Sequence, residues 1–256
     1  MTLNDKKIIV TGGAKGIGAA TVRAYAEQGA RVAILDVLDD QARQLADDLQ
    51  KADGDVAFFH CDVARRDQVD TAFDRAVERM GGLDVMANIA GVERFSPAEA
   101  IDDEQWDFLF DINVRGTMLT NQAAFRFMRD RGGRIMNFGS DAALVPYPNG
   151  AHYSASKGAV TSWTRTIASE WGRYGITANT LVPAMWTPMY DDHRATMGAE
   201  ELASHDAMMA GLVPLGGKLG NPETDFAPVM VFLAGEGARF ITGQIISVNG
   251  GLNSVR

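Results

Sequence analysis

Short apolar runs alternate with longer amphipathic segments along nearly the whole chain, and this alternation restricts the fold more than any other feature. Seven apolar runs predict strands, at residues 7–11, 30–36, 56–61, 83–88, 134–138, 176–182 and 244–248. The segments between them predict helices, at residues 16–29, 39–51, 66–80, 103–130, 151–174 and 223–234. Two strands joined by a helix of a dozen residues or more are parallel. We therefore predict an α/β fold, a single Rossmann-like domain over residues 1–256 with a doubly wound parallel sheet of about seven strands and helices on both faces.

Composition narrows the classes of function. The 256 residues include 33 Asp and Glu against 24 Lys and Arg, a formal net charge of −9, and 46% are hydrophobic. The apolar content suffices for a core, whereas the negative charge disfavours nucleic acid and anionic membrane surfaces as partners. No apolar run reaches the length of a spanning helix. The first residues lack a secretory signal and Cys61 is the single cysteine, so we expect a cytoplasmic protein without a disulfide.

One stretch interrupts the alternation. Residues 184–221 are rich in Met, Gly and Pro and form a connection far longer than is usual in a compact domain. Connections of this length are usually functional lids or disordered. We predict a mobile substrate lid at about 184–215, because this part carries more large apolar side chains than an exposed loop needs.

The first predicted strand runs into a glycine-rich loop that opens the first helix. Gly12, Gly16 and Gly18 follow the spacing GxxxGxG. Glycine lets the backbone approach a pyrophosphate closely, and a helix N-terminus supplies free N–H groups and the positive end of the helix dipole. With 27 glycines some clustering arises by chance. The place of the loop, between first strand and first helix, predicts a dinucleotide site.

Asp36 closes the second predicted strand, 18 residues after Gly18. A carboxylate there accepts hydrogen bonds from both ribose hydroxyls of the adenosine and repels a 2′-phosphate, so it favours NAD over NADP. The alternative is a turn aspartate, since Asp39 and Asp40 are near. Lys15 is the opposing signal, because a cation in the glycine loop attracts a 2′-phosphate.

Tyr153 and Lys157 lie four residues apart at the start of a predicted helix, hence on one face. A phenol has a pKa of about 10, and a nearby ammonium lowers it, which would let Tyr153 act as an acid–base group. Ser140 follows the fifth strand, at the edge where open α/β sheets bind ligands. These residues also have ordinary interpretations, since YxxxK is common by chance and a loop serine often only forms a turn. A further polar residue, Asn113, lies in a long helical stretch, where it is either an ordinary mid-helix residue or a local break of the helix.

Other chemistries find little support in the sequence. The four histidines lack metal-ligand spacing with Asp or Cys, so we expect no metal site. Cys61 ends the third strand and is expected to be a buried apolar residue. The nucleophile elbow of hydrolases is absent, because Ala142 stands at its second glycine.

Taken in order, these motifs resemble those of the short-chain dehydrogenase/reductase family, from Lys7 to about Leu252. The matching positions are TGGAKGIG at 11–18, Asp62-Val63, Asn88-Ile-Ala-Gly91, Asn113, Ser140, Tyr153, Lys157, Pro183 and Thr187. Each motif is weak alone, whereas their combined order and spacing are specific. The resemblance implies a nicotinamide-dependent oxidoreductase, often a homotetramer.

The resemblance also implies a role for each matching residue. Tyr153 would exchange a proton with the substrate oxygen and Ser140 would hydrogen-bond that oxygen. Lys157 would depress the tyrosine pKa and bind the nicotinamide ribose, and Asn113 would hold a water between Lys157 and solvent. Asp62 and Val63 would contact adenine. The full set of implied cofactor contacts is Gly12, Lys15, Gly16, Ile17, Gly18, Asp36, Asp62, Val63, Asn88, Ala90, Gly91, Tyr153, Lys157, Pro183 and Thr187.

Four features depart from the family pattern. Ile89 replaces the second Asn of Asn-Asn-Ala-Gly, Ala184 replaces the Gly of Pro-Gly, and Asn249 stands where an Asp often precedes the final Gly-Gly. The spacer between Pro183 and Thr187 is one residue shorter than the commonest form. The departures at Ala184 and in this spacer bear on whether Thr187 reaches the nicotinamide.

The residues around the lid predict the substrate pocket. The candidate lining residues are Arg94, Leu144, Val145, Met185, Trp186, Met189 and Tyr190, with Met197, Met208 and Met209 farther along the lid. Methionine adapts to varied shapes, so we expect a bulky, mostly apolar ketone or alcohol. Arg94 and His193 are the nearest candidates for reading a polar end of that substrate.

We expect an NAD-dependent dehydrogenase that interconverts a secondary alcohol and a ketone. Two alternatives stay open. An NADPH-dependent 3-oxoacyl carrier-protein reductase is opposed by Asp36 and by the acidic net charge, because that carrier is itself acidic. A regulator that binds a nicotinamide cofactor without turnover is opposed by the intact set of four catalytic residues.

Overall fold

The computed structural model describes residues 2–253, which form seven β-strands and nine α-helices joined by short 3₁₀ and π-helical turns. The strands are β1 (Lys7–Thr11), β2 (Arg31–Asp36), β3 (Asp55–His60), β4 (Val85–Asn88), β5 (Gly133–Phe138), β6 (Ile176–Pro183) and β7 (Ile245–Val248). The helices are α1 (Gly16–Glu27), α2 (Asp39–Lys51), α3 (Arg66–Met80), α4 (Asp103–Leu109), α5 (Gly116–Met128), α6 (Ala151–Trp171), α7 (Pro188–Arg194), α8 (Ala199–Leu212) and α9 (Ala227–Ala234). Among the helices of this range, none has both the length and the apolar character needed to cross a bilayer.

The strands run parallel in the order β3-β2-β1-β4-β5-β6-β7. The chain winds outward from β1 to β3 and then returns to the other side of β1 with β4. The winding thus reverses between β1 and β4, and in such sheets ligands bind outside the carboxyl ends of the strands at this point. The register aligns these ends, because Thr11 pairs with Asn88 and Asn88 pairs with Asn137.

Buried side chains form one core on each face of the sheet. Along β1, Ile8 and Val10 face one core and Ile9 faces the other, because successive side chains of a strand alternate. Helices α1, α2 and α9 cover the first face, and α3, α5 and α6 cover the second. The sheet is therefore shielded from water on both faces, which leaves its carboxyl edge as the place for a site.

The predicted fold class is confirmed: the chain is a single Rossmann-like domain with a parallel sheet between two helical layers. Every predicted strand is present, with its ends displaced by two residues at most. The prediction succeeds because strands buried on both faces read as continuous apolar runs.

The single helix predicted over residues 103–130 is instead divided in two. Helix α4 is followed by a π-helical turn, Phe110–Arg115, and then by α5. Turns of this kind are frequent at functional sites. Asn113 lies within the turn with its side chain buried, so the local break changes the direction of this residue.

The connection predicted to be irregular, residues 184–221, contains helices α7 and α8. Helix α7 begins at Pro188, and the hydroxyl of Thr187 caps it by accepting a hydrogen bond from the amide of Tyr190. Helix α8 has an acidic first turn, which complements the helix dipole. The sequence pattern missed α8 because the helix buries none of its residues, so no apolar stripe of helical period marks it.

Candidate active site

The loop between β1 and α1 packs closely against the loop after β4. Gly12 has a φ of +66°, and a Cβ on it would lie 2.7 Å from the backbone N and Cα of Ala90. A Cβ on Gly18 would overlap the carbonyl oxygen of Gly12. Only glycine fits these positions, and α1 begins beside them at Gly16. The residues present therefore fit a dinucleotide, whose pyrophosphate needs such close backbone approach at a helix N-terminus.

Asp36 stands at the end of β2, beside this loop, and is 8% exposed. One carboxylate oxygen accepts a hydrogen bond from the amide of Ala14 at 2.9 Å and the other from the amide of Leu38 at 3.0 Å. The side chain thus fixes the glycine loop to β2, a role that the sequence did not indicate. Each oxygen keeps a further lone pair for a donor such as a ribose hydroxyl. Lys15, the opposing signal, is exposed just before α1.

Asp62 and Val63 follow β3 at the same edge. The carboxylate of Asp62 accepts a hydrogen bond at 2.9 Å from the backbone amide of Ala64, which forms a tight turn. Val63 is buried against Gly116, where a Cβ would lie 2.8 Å from the valine side chain. The amide of Cys61 donates to the carbonyl of Asp36 at 2.9 Å. The two residues predicted at adenine therefore lie next to the residue predicted at the ribose.

The side chain of Asn88, predicted to border the cofactor, points into the protein instead. It is 5% exposed, accepts hydrogen bonds from the hydroxyls of Thr11 and Thr120 at 3.1 and 2.9 Å, and donates to Asn137 at 3.1 Å. Thr11 in turn accepts from the amide of Ala90 at 3.3 Å. This network ties β1, β4 and β5 together, so Asn88 supports the floor of the site from beneath.

Tyr153, Lys157 and Ser140 meet where α6 begins and β5 ends. The Lys157 Nζ atom lies 5.7 Å from the centroid of the Tyr153 ring and donates to the carbonyl oxygen of Phe138 at 3.1 Å. Ser140 opens the turn after β5, where its hydroxyl accepts from the amide of Ala142 at 3.2 Å and approaches the Tyr153 hydroxyl. A phenol, an alcohol and a buried ammonium are thus grouped at the carboxyl edge of the sheet.

The π-helical turn brings Asn113 to the loop after β4. Its amide accepts from the Val92 N–H and donates to the Val92 carbonyl, both at 2.9 Å, and also donates to Ser156 at 3.1 Å. A Cβ on Gly91 would lie 3.2 Å from both Asn113 Oδ1 and Lys157 Nζ. Asn113 therefore holds the loop and neighbours Lys157 across Gly91. The water expected between Lys157 and solvent stays a prediction.

Burial shifts the acid–base properties of Tyr153 and Lys157 in opposite directions. Burial raises the pKa of Tyr153, the negative charges of Glu93 and Asp141 raise it further, and Ser140 lowers it. Burial lowers the pKa of Lys157 to about 8, and Glu93 acts in the opposite direction. The loss of hydration around the buried phenol dominates the pKa of Tyr153, and the expectation that Lys157 depresses this pKa stays a prediction.

Pro183 ends β6, and Thr187 stands over the glycine loop. A Cβ on Gly16 would lie 3.8 Å from the Cβ of Thr187, so Thr187 reaches this loop despite the shortened spacer. Its hydroxyl accepts from the amide of Tyr190 at 3.3 Å. Ile17, a further predicted contact, is half-buried at the start of α1 and packs against the first core.

The predicted pocket residues divide between core and surface. Met185 is 7% exposed and belongs to the first core, so its side chain does not form an exposed wall. The other apolar candidates lie nearer the surface: Val145, Trp186 and Met189 are exposed, and Leu144 and Tyr190 are half-buried. The predicted pocket residues therefore do not share one environment, and their role in binding substrate stays a prediction.

A carboxylate that no sequence motif marks, Glu93, lies near Tyr147 and Tyr153. Its neighbour Arg94, predicted to contact a polar end of the substrate, is exposed, and its guanidinium lies over Phe108, 4.8 Å from the ring centroid. Glu93 is half-buried and accepts a hydrogen bond from the hydroxyl of Tyr147 at 2.9 Å. The ring of Tyr147 lies 6.1 Å from that of Tyr153. The one signal in the sequence was an acidic residue within the loop after β4.

Helix α7 touches this loop through stacked rings. The rings of His193 and Phe95 lie 4.8 Å apart and nearly parallel, and Phe95 lies 5.8 Å from Tyr147. An ion pair between Arg194 and Asp206 joins α7 to α8. The segment predicted as a lid thus lies beside the half of the site that contains Tyr147.

Asn249, one of the departures from the family pattern, has a local partner. Its amide donates to the carboxylate of Asp141 at 2.9 Å. Asp141 follows Ser140. Burial raises the pKa of its carboxyl group, and hydrogen bonds from Asn249 and Asn253 offset only part of this rise. An aspartate at position 249 would place a second carboxylate against Asp141, so the amide suits the acid that this chain carries.

Metal and thiol chemistry find no site in the part of the chain that the structure describes. Over residues 2–253, no three side chains of His, Cys, Asp or Glu come together as a metal site. Cys61 is buried as predicted, and burial raises the pKa of its thiol to about 12. The thiol is therefore protonated at neutral pH and a poor nucleophile.

Comparisons with known proteins cover nearly the whole chain. A family profile described as short chain dehydrogenase matches residues 6–198. The short-chain reductase protein NovJ of Streptomyces niveus is 35% identical over 246 residues, which cover 95% of this chain and 92% of that protein. The D-threitol dehydrogenase of Mycolicibacterium smegmatis is 37% identical over 250 residues, 97% of this chain and 93% of that one. The crystal structure of gox2181 is similar with a TM-score of 0.90 and 36% identity, and the match covers 98% of this chain and 96% of that chain.

Proposed function

The chain belongs to the short-chain dehydrogenase family, and from this premise we propose that it is an NAD-dependent oxidoreductase that interconverts a secondary alcohol and a ketone. One observation carries the proposal: Tyr153 and Lys157 lie beside a backbone cradle that a Cβ at Gly12 or Gly18 would fill. A group able to move a proton and a cradle able to hold a dinucleotide therefore share one edge of the sheet. The D-threitol dehydrogenase among the relatives is, by its name, an enzyme that acts on an alcohol.

The chemical step combines a hydride with a proton. When bound, the nicotinamide supplies the acceptor or donor of the hydride. In alcohol oxidation the Tyr153 oxygen takes the proton of the substrate hydroxyl, and in ketone reduction it returns a proton to the carbonyl oxygen. The hydroxyl of Ser140 donates to the same substrate oxygen and holds it against Tyr153. General acid–base catalysis of this kind contributes roughly 10²–10⁴-fold.

Lys157 supports this proton transfer. Its pKa of about 8 leaves it mostly charged at neutral pH, and its ammonium stands 5.7 Å from the Tyr153 ring. A positive charge at that place favours the ionised phenol as the proton leaves. Asn113 neighbours Lys157 across Gly91 and would hold the water through which the proton reaches solvent.

The residues that would hold the dinucleotide surround the carboxyl ends of β1 to β4. The backbone of residues 12–18 would bind the pyrophosphate, Asp36 the adenosine ribose and Lys157 the nicotinamide ribose. Thr187, over Gly16, would contact the nicotinamide end. The carboxylate of Asp36 repels a 2′-phosphate, which is the reason for NAD over NADP.

The segment 184–215 would act as the substrate lid. Helices α7 and α8 bury none of their own residues, so their opening breaks few apolar contacts. The stacking of His193 on Phe95 joins the segment to the loop after β4. Closure on the substrate would exclude water from the hydride transfer.

Steady-state kinetics with NAD and NADP on secondary alcohols and ketones test the proposal. We expect a higher kcat/KM with NAD. Asp36→Ala should lower the value for NAD roughly 10- to 100-fold, because a hydrogen bond to a charged group contributes about 1.5–3 kcal/mol, and it should narrow the gap to NADP. Asp40→Ala, at an exposed neighbouring carboxylate, is the control. A wild type that prefers NADP would overturn the NAD assignment and make Lys15 the determinant.

The two alternatives predict different kinetics. A 3-oxoacyl carrier-protein reductase would reduce a 3-oxoacyl thioester with NADPH faster than it converts any free alcohol or ketone. A regulator would bind the cofactor and turn over none of these substrates, so Tyr153→Phe would change nothing measurable in it.

We also propose that the chain acts as a homotetramer. A groove of about 400 Å³ lies between the π-helical turn, α5 and α6, and its lining is largely apolar. Elsewhere Phe240 is 98% and Leu215 is 78% exposed. Apolar surface of this kind marks protein interfaces. Light scattering should give about four times the chain mass of 27.6 kDa, and a monomer would contradict the proposal.

A further inference from the structure

A half-buried carboxylate, Glu93, approaches the catalytic tyrosine from the loop after β4, and the proposed proton transfer does not use it. Its only side-chain partner within residues 2–253 is the hydroxyl of Tyr147, which donates to Glu93 Oε1 at 2.9 Å. An ionised carboxylate has about four acceptor positions on its two oxygens, so one bond leaves most of them free. A carboxylate that is partly removed from water and short of donors favours a ligand that brings one.

The pair of Glu93 and Tyr147 is not needed to hold the two loops together. The amide of Ser96 already donates to the carbonyl of Asn149 at 2.7 Å, which joins the loop after β4 to the loop after β5. The rings of Phe95 and Tyr147 also pack 5.8 Å apart. The carboxylate is thus an addition to a junction that backbone and apolar contacts make without it.

The charges around Glu93 favour a neutral or cationic ligand over an anion. Burial raises the pKa of Glu93, and the hydrogen bond from Tyr147 and the charges of His193 and Lys157 offset only part of this rise. Asp141 adds a second negative charge near Tyr153. Of the basic groups here, Lys157 is buried behind Tyr153 and His193 stacks on Phe95. A substrate carboxylate or phosphate next to the reacting carbon would therefore meet two acids.

We propose that Glu93, held by Tyr147, is a specificity-determining residue that binds a second hydroxyl of the substrate, beside the hydroxyl that reacts at Tyr153. The preferred substrate is then a small vicinal diol or polyol, or the corresponding hydroxyketone. This inference rests on the proposed alcohol–ketone chemistry and adds the substrate class. It also replaces the mostly apolar substrate that the sequence predicts, because the polar pair stands where an apolar wall was expected.

The test compares two substrates of the same shape. Propane-1,2-diol and butan-2-ol differ by one hydroxyl in place of one methyl group. We expect the wild type to favour the diol in kcat/KM at least tenfold, and Glu93→Gln to bring the two values close together, a loss of roughly 10- to 100-fold in the ratio. Tyr147→Phe should reduce the ratio less, because the carboxylate remains. Glu99→Gln, an exposed glutamate nearby, should leave it unchanged.

Two further measurements separate the role of Glu93 from a merely structural one. The first is the pH profile for butan-2-ol. Glu93 raises the pKa of both Tyr153 and Lys157, so Glu93→Gln should move the rising limb of alcohol oxidation to lower pH. The second uses lactate, which the wild type should use less well than butan-2-ol and Glu93→Gln should use better than the wild type does.

Three outcomes would overturn the proposal. One is a wild type without preference for the diol. Another is a Glu93→Gln variant that keeps the preference. The third is an equal loss on both alcohols with a lowered Tm and an unmoved pH profile, which would assign Glu93 to structure. If the wild type oxidises none of the alcohols with either cofactor, the proposed function itself fails, a result distinguishable from all three.

Discussion

The two ends of the candidate site, the proposed cofactor end around the glycine loop and the proposed substrate end at residues 184–215, are built in opposite ways. At the cofactor end, glycine backbone is packed against Ala90, and Asp36 is 8% exposed with both oxygens bonded to main-chain amides. At the substrate end, helices α7 and α8 bury none of their residues, and Trp186 and Met189 are 40% and 43% exposed. One end is fixed by the sheet, whereas the other is held by contacts between side chains on the surface.

This difference shows which part of the site tolerates change. A position defined by close backbone contact admits one residue type, because added atoms have nowhere to go. A segment with few buried contacts opens at low free-energy cost and can vary in sequence without loss of the fold. The cofactor end should therefore resist substitution, and the substrate end should determine specificity.

The largest effect is expected at Tyr153, where the two ends meet. Tyr153→Phe keeps the ring and removes only the ionisable oxygen, so kcat should fall roughly 10²–10⁴-fold while cofactor affinity stays near that of the wild type. Lys157→Ala should damage both properties, because the residue would serve proton transfer and ribose binding together. Cofactor titration and kcat, measured side by side, check this. A Tyr153→Phe variant with more than about a tenth of the wild-type kcat would remove Tyr153 from the acid–base role.

A pair of alanine substitutions compares the two ends directly. Gly18→Ala places a methyl group on the carbonyl of Gly12, so it should abolish cofactor binding and destabilise the fold by about 1–3 kcal/mol. Gly211→Ala, in α8, meets no atom within 4 Å and should raise the free energy of unfolding by up to about 1 kcal/mol. Thermal melts and cofactor titration give both results. Equal behaviour of the two variants would contradict the contrast between the ends.

A charge added at the boundary of the two ends should move the pH dependence of alcohol oxidation. Asn249→Asp sets a second carboxylate against Asp141, whose negative charge already raises the pKa of Tyr153. Alcohol oxidation needs Tyr153 to accept a proton, so the rising limb of kcat/KM should move to higher pH, opposite to Glu93→Gln. Asn249→Ala removes the hydrogen bond without adding charge and is the control. A limb that stays in place would show that charge beside Asp141 does not act on Tyr153.

The smallest effect is expected from loosening the lid. Arg194→Gln breaks the ion pair with Asp206 that joins α7 to α8, and an ion pair at the protein surface contributes little to overall stability. Tm should stay close to that of the wild type, while limited proteolysis within residues 184–215 becomes faster. Saturation with NAD and an unreactive substrate analogue should slow the cleavage in both proteins. Cleavage that the ligands leave unchanged would count against a lid.

The sequence predicted the fold, and it predicted which motifs meet at the carboxyl edge of the sheet, because both depend on local patterns. The buried strands are apolar runs, and the glycine loop and the spacing of Tyr153 and Lys157 follow directly from short motifs. The surroundings of a side chain are harder to predict where distant contacts decide. Asn88 and Met185 were expected at the cofactor and at the pocket, and the structure adds that the side chain of Asn88 joins Asn137 within the sheet and that Met185 packs in the core.

The amino-acid sequence by itself determined the doubly wound sheet, the glycine-rich loop and the positions of the residues proposed for proton transfer, since strand and helix periodicity and short motifs encode them within a few residues. Only the tertiary structure decided which side chain of the loop after β4 faces Tyr153 and which stays outside. Glu93 approaches the site and Arg94 lies over Phe108, although they are neighbours in the chain. The physical reason is that a loop residue has no periodicity to set its direction, so its side chain is placed by partners such as Tyr147, 54 positions away in sequence.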